Sequence, residues 1–174
     1  MEIFDLYTRD RIKTGETILR GSKVPDGRYR LVVHIAVFNA KGEMLIQHRA
    51  KDKDRYPNLW DFSAGGSVIA GENSSQGASR ELFEEIGTKH NFSDTIPSFS
   101  INFECGFDDF YIIHTELNIE DLVFQKEEVQ GAKWAGKEEI LNMLSRGEFV
   151  PFRKELIELV FSFSNKQFGT LDKE

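Results

Sequence analysis

Residues 66–88 read GSVIAGENSSQGASRELFEEIGT, and within them glycine-punctuated, extended backbone gives way to a helix. Asn73 is a helix-capping residue with Gln76 three positions on to complete a capping box, and Gly87 supplies a left-handed C-terminal residue. The signals predict a helix over Ser74–Ile86. At about 100° per residue with Glu81 as zero, Glu84 falls near −60° and Glu85 near +40°, so three carboxylates share an arc of about 100°. Ala78, Leu82, Ile86 and Phe83 occupy the arc between about 60° and 200°. That apolar stripe is expected to face a sheet, and the acids to face elsewhere.

Outward from this helix the flanking segments read as strands. Upstream, Leu31–Asn39 and Glu43–Gln47 are apolar β-type runs split by Ala40, Lys41 and Gly42, a loop of hairpin length. Further upstream, IFDLYT (3–8) and ETILRG (16–21) predict a second hairpin ahead of the main core. The charged stretch Ala50–Asn58, with Pro57, reads as a surface loop, and short extended pieces follow it. Downstream, strands are expected at Phe99–Cys105 and Phe110–Leu117 around an acidic turn at Gly106–Asp109, then at Ala132–Trp134. Helices are expected at about Lys137–Ser145 and Phe152–Ser164. Mixed strands with three helices indicate a layered α/β or α+β fold. A length of 174 residues suits one domain.

Three acids on one helical arc admit two readings. A solvated face tolerates them, because like charges at i,i+4 cost only a few tenths of a kcal/mol. A metal cradle is the other, since clustered carboxylates are the hard-oxygen ligands that Mg²⁺ or Mn²⁺ prefers, and the glycines just before the helix let a phosphate-bearing ligand approach closely.

The string Gly66-(x5)-Glu72-(x7)-Arg80-Glu81-Leu82-Phe83-Glu84-Glu85-Ile86-Gly87 resembles the Nudix box, GX5EX7REUXEEXGU, where U is a bulky aliphatic residue. Every fixed position is met, and only Thr88 departs, standing where the last aliphatic belongs. Ordinary residue frequencies put a chance match on the order of one in a billion per starting position. The resemblance implies a Nudix-type α/β/α sandwich, a mixed β-sheet with flanking helices, over residues 30–174, with residues 1–29 as an N-terminal β-hairpin extension of the same domain. It implies Glu81, Glu84 and Glu85 as metal ligands, Arg80 orienting them by hydrogen bonding, and Glu72 supporting the junction of loop and helix. Gly65 would offer a carbonyl oxygen, and Glu128 from a later loop would complete the metal site, with Glu127 the alternative. Substrate would lie against Gly66, Glu72 and the basic loop of His48, Arg49, Lys51, Lys53 and Arg55, a loop whose plain reading is a solvated one.

The implied activity is cleavage of a diphosphate linkage in a small metabolite, a nucleoside diphosphate derivative or an isoprenoid diphosphate, by a metal-activated water. Glu84, Glu85 or Glu128 would be general base, with Arg80 completing the catalytic set. Mg²⁺ or Mn²⁺ would also stabilise the fold by relieving the acid cluster.

The segment from Leu31 to Gly66 also resembles isopentenyl diphosphate isomerases, which share this fold. Those enzymes use a cysteine just before the box glycine and a histidine just after it, and Gly65 and Ser67 occupy those positions. His34 matches the second of their upstream histidine ligands, but no histidine precedes it. The chain therefore reads as an isomerase-like hydrolase, with an isomerase or a catalytically silent nucleotide-binding domain as alternatives.

The formal charge of −7, from 22 Lys and Arg against 29 Asp and Glu, has the wrong sign for nonspecific nucleic-acid binding. No apolar run is long enough to span a bilayer, and the N-terminus MEIFDLYTRD lacks the order of a signal peptide, so no membrane partner and a cytoplasmic location are expected. Cys105 is the only cysteine, which removes intramolecular disulfides and cysteine-based zinc sites. His48, His90 and His114 have no ligand spacing and read as ordinary polar residues. A homodimer through the N-terminal hairpin is a further expectation from the resemblance.

Overall fold

The computed structural model describes residues 2–93 and 95–164. Strands β1 (Ile3–Tyr7) and β2 (Lys13–Leu19) form the antiparallel hairpin expected at the N-terminus. Then come β3 (Arg30–Phe38), β4 (Met44–Arg49), β5 (Trp60–Asp61), β6 (Ala64–Ser67), α1 (Ser74–Ile86), β7 (Phe99–Phe103), β8 (Gly106–His114), β9 (Val129–Ala135), α2 (Lys137–Ser145) and α3 (Lys154–Ser164).

β3 is the hub of the seven-stranded mixed sheet. Its residues Val33, Ile35, Val37 and Phe38 are fully buried, as a near-continuous apolar strand covered on both faces requires. β8 runs parallel to it along one edge, from Arg30↔Gly106 to Phe38↔His114. The other edge is divided: β6 pairs antiparallel with Val32–Ile35, and β4 meets β3 at Phe38↔Met44 alone. The expected hairpin of the two apolar runs therefore opens directly after its turn, because β4 diverges to pair with β9 and β5. That splay admits the glycine strand β6, which leads into α1.

Odd-numbered residues of β3 pack with Ala78, Leu82 and Ile86 of α1, while Ala36 and Phe38 pack with Ile140, Ile157 and Val160 of α2 and α3. The alternation of side chains across a strand thus sorts the core into two layers, an α/β/α sandwich. α1 has its expected bounds: the Asn73 side chain accepts from the Gln76 amide at 2.9 Å, the Asn73 amide donates in return to Gln76 Oε1 at 2.9 Å, and Gly87 is left-handed with φ 72°.

Two expectations are corrected. Gly106–Asp109 is not a turn but the start of β8, and the chain reverses at Glu104 and Cys105. Asp109 is wholly buried in that strand because Arg11, Ser74 and Ser100 all donate to its carboxylate. α3 starts at Lys154, and Phe152 packs its ring against His34 and Phe62 instead. Among the described residues no helix is long and apolar enough to cross a membrane.

Candidate active site

α1 backs onto β6 and β3 with Ala78, Leu82 and Ile86 fully buried, and this docking decides where its acids go. They do not share one solvent-facing surface as the helical arc suggests. Glu85 is 4% exposed, its carboxylate accepting from the Gly65 amide at 2.8 Å and from Gln47 Nε2 at 2.9 Å. Glu81 keeps 12% of its side-chain exposure and Glu84 keeps 47%. The helix lies along the splayed edge of β3, so one side of the acidic arc is turned onto the glycine strand rather than into water.

Arg80 ties the cluster together. Its Nε and Nη2 donate to the two oxygens of Glu72 at 2.9 and 3.1 Å, a fork that fits a carboxylate in two places. Its Nη1 donates to Glu81 at 2.8 Å and to Glu84 at 3.0 Å, and Nη2 also reaches the Ser67 carbonyl. Neighbouring groups approach both glycines of β6 closely, backbone at Gly65 and a side-chain end at Gly66. A Cβ at Gly65 would lie 2.8 Å from the Val33 carbonyl oxygen, and one at Gly66 would collide with the Glu81 carboxylate.

Burial, reinforced by the charge of Glu81, pushes the Glu85 carboxyl up to about 8 against the two bonds it accepts. Burial also raises Glu81, with Arg80 pulling the other way. For Arg80, burial favours loss of the proton, but the bonds to Glu72 and Glu81 outweigh it and its proton is held more firmly than usual. Among the described residues Gln47 Oε1 is buried without a hydrogen-bond partner.

A cavity of about 90 Å³ brings Glu81, Glu84 and Glu85 together with Glu128, Gly65 and Gly66. Glu127 lies outside it, so the geometry places Glu128 rather than Glu127 beside the box acids. Glu72 stands one bond behind, on Arg80. Sequence reasoning missed Glu2 and Arg20, which line this cavity from the hairpin, and gave Lys53 no role of its own. Lys53 forms an ion pair with Glu128, and Arg20 one with Glu2 at 2.8 Å. Nothing local in the string ties residues 2 and 20 to residue 81; only the folded hairpin does.

Through Arg20, Lys53 and Glu128 the small cavity adjoins one of about 820 Å³, whose wall also carries Lys23, Arg30 and Arg55 together with the acids Asp52, Asp54 and Glu127. Arg49 lines the larger cavity, but its guanidinium is spent on Asp61 at 3.0 Å and on the carbonyls of Arg55 and Tyr56. Cys105 is on the wall of the larger cavity and not in the acidic one.

Among the described residues no three His, Cys, Asp or Glu side chains already converge tightly enough to grip a metal ion, since Arg80 draws on Glu81 and Glu84 and Lys53 on Glu128. The donor set nonetheless fits a hard divalent cation: Glu81, Glu84, Glu85, Glu128 and Glu2 share one small cavity with glycine backbone, and Glu81 and Glu85 bear a burial penalty that a cation would relieve.

Fold and site together define an α/β/α protein with an arginine-organised carboxylate pocket at a glycine strand. The NUDIX domain family model matches residues 28–160, and the chain belongs to the Nudix family. It is 47% identical over 152 residues to an uncharacterised Nudix hydrolase of Listeria monocytogenes, a match spanning 87% of this chain and 90% of that one, and it is a Nudix hydrolase. Its fold is similar to the crystal structure of a Deinococcus radiodurans protein, with 27% identity, a TM-score of 0.72 and coverage of 91% of this chain and 97% of the other. An isopentenyl-diphosphate Delta-isomerase of Halorhodospira halophila is 38% identical over 61 residues, 35% of either chain.

Proposed function

We infer that the chain is a Mg²⁺- or Mn²⁺-dependent hydrolase that cleaves the diphosphate linkage of a small metabolite, a nucleoside diphosphate derivative or an isoprenoid diphosphate. The observation that carries this reading is the junction, at Arg20, Lys53 and Glu128, of a carboxylate pocket with a larger cavity whose wall carries more Lys and Arg than Asp and Glu. One compartment suits a divalent cation and the other suits an anionic substrate.

Glu81, Glu84, Glu85 and Glu128, with the carbonyl of Gly65, are the groups that would hold the cation. When bound, it supplies charge neutralisation at the phosphate oxygens and acidifies the attacking water. The chain's own residues do the rest. Arg80 fixes Glu81 and Glu84 while its other nitrogens stay on Glu72. Arg20 and Lys53 stand where the two cavities meet and take up phosphate charge. A phosphate reaching Lys53 frees Glu128 from its ion pair. One of Glu84, Glu85 and Glu128 accepts the proton of the water that attacks phosphorus.

The isomerase alternative finds no support at its key position, because a side chain at residue 65 would press on the Val33 carbonyl. The test is a magnesium-dependent assay by phosphorus and proton NMR on nucleoside diphosphate derivatives and isopentenyl diphosphate, with Glu85→Gln alongside. Cleavage that the variant loses is expected. An unchanged phosphorus spectrum with shifted vinyl protons would mean isomerisation, and diphosphate binding without turnover across the panel would mean a silent domain.

A further inference from the structure

The hairpin β1–β2 lies ahead of residue 28, where the family match begins, yet it grips the junction between β6 and α1 from two sides. On one side Asp5 Oδ2 accepts from the Gly71 amide at 2.9 Å and from Lys13 Nζ at 2.7 Å, while Lys13 Nζ also donates to the Glu72 carbonyl at 2.8 Å. The Ala70 amide adds a 2.7 Å bond to the Ile3 carbonyl. On the other side Arg11 donates to Asp109 at 2.6 Å, and that same carboxylate oxygen accepts from Ser74, the first residue of α1, at 2.6 Å. Gly71 has φ 92°, a conformation in which the chain itself has little preference for one course. Within the turn the Glu72 amide donates to the Ile69 carbonyl at 3.1 Å, and the bonds from Asp5, Lys13 and Ile3 add partners from outside it.

From this turn the connection to the acids is short. Glu72 takes the two-pronged bond from Arg80, and Arg80 Nη1 holds Glu81 and Glu84. We propose that the hairpin is a positioning element of the active site: Asp5 and Lys13 clamp the Gly71–Glu72 turn, and through it set Arg80 and the carboxylates Glu81 and Glu84. Neither residue touches substrate or the reacting atoms. The inference rests on the reading of the acidic pocket as the catalytic metal site, and its test separates the two.

Three measurements on Lys13→Met and Asp5→Asn are compared with Glu16→Gln, which breaks an ion pair of the same hairpin with Arg28. The first is the Arg80 Nε–H resonance by nitrogen-proton NMR, which needs neither metal nor turnover. The second is Mn²⁺ binding to the protein alone, and the third is the split between kcat and KM on a substrate the wild type cleaves. Lys13→Met and Asp5→Asn are expected to shift or broaden the Arg80 signal, to weaken Mn²⁺ binding about tenfold, the scale typical of groups behind metal ligands, and to lower kcat at nearly constant KM. Lys13→Arg should recover most of the loss, and Glu16→Gln should leave all three near wild type. An unmoved Arg80 resonance in a folded Lys13→Met protein overturns the clamp, as does an effect that Glu16→Gln reproduces. Absence of Mn²⁺ binding or turnover in the wild type would defeat the hydrolase reading instead, with the Arg80 resonance still deciding the clamp.

Discussion

Replacing Glu85 by glutamine should make the metal-free protein more stable, and by an amount that depends on pH. The wild-type carboxyl is 4% exposed and its pKa rises from 4.5 to about 8 on folding. Below about pH 4.5 it is protonated in both the folded and the unfolded chain and contributes no difference. As pH rises from there towards 8, the unfolded chain releases the proton and the folded chain does not, so the folded state loses stability across that window and levels off above it. At about 1.4 kcal/mol per unit, a rise of this size is worth on the order of 5 kcal/mol. Water entering the metal-free pocket screens part of it, and about 2 kcal/mol is the expected remainder.

Glutamine matches the shape and keeps an oxygen for the Gly65 and Gln47 donors. For a domain of this length, about 2 kcal/mol corresponds to a melting-temperature gap of roughly 4–8 °C. The assay is thermal unfolding of both proteins in EDTA from pH 5 to 9, and then with Mn²⁺. The gap should widen steadily from pH 5 to its full size above pH 8, and Mn²⁺ should close it by stabilising the wild type alone. A gap that stays constant with pH, or a wild type that is the more stable of the two at pH 9 without metal, would refute the reasoning.

At Gly66, alanine should push away the flexible Glu81 carboxylate rather than backbone, so Gly66→Ala is expected to lower Mn²⁺ affinity about tenfold by calorimetry with little change in melting temperature. Gly65→Cys instead presses on the Val33 carbonyl, and overpacking of about 1–3 kcal/mol should lower the melting temperature by several degrees. The same variant should show no isomerase activity in the vinyl-proton assay. Lys53→Met, which removes a cation from the junction of the two cavities, should raise KM for a diphosphate about tenfold, the loss of one charged hydrogen bond, with a smaller change in kcat.

How far the string could be read follows the range of the forces involved. The capping box, the Gly87 terminator and the apolar stripe act within one or two turns, so α1 was legible to its end residues. Gly106–Asp109 was not, because two adjacent aspartates read as a turn until Arg11, nearly a hundred residues away, and the serines are seen to satisfy Asp109. The same limit applies to the strands from Leu31 and Glu43, whose tight turn was readable but whose divergence was not.

For the site, Glu81, Glu84 and Glu85 were legible as chemistry because hard acids at helical spacing and glycines before them are local facts, while Glu72 and Arg80 were legible only through the resemblance to the Nudix box. Their unequal burial belongs to the tertiary structure. Glu85 became a buried, proton-retaining group only when α1 docked on the splayed edge of β3 and set it against Gly65 and Gln47. The hairpin's part in the site was likewise unreadable, since Asp5, Lys13, Arg20 and Glu2 reach the box through contacts spanning some sixty residues of chain. Local pattern decided which helix carries the acids; long-range packing decided which of them face water, which are buried, and what holds them in place.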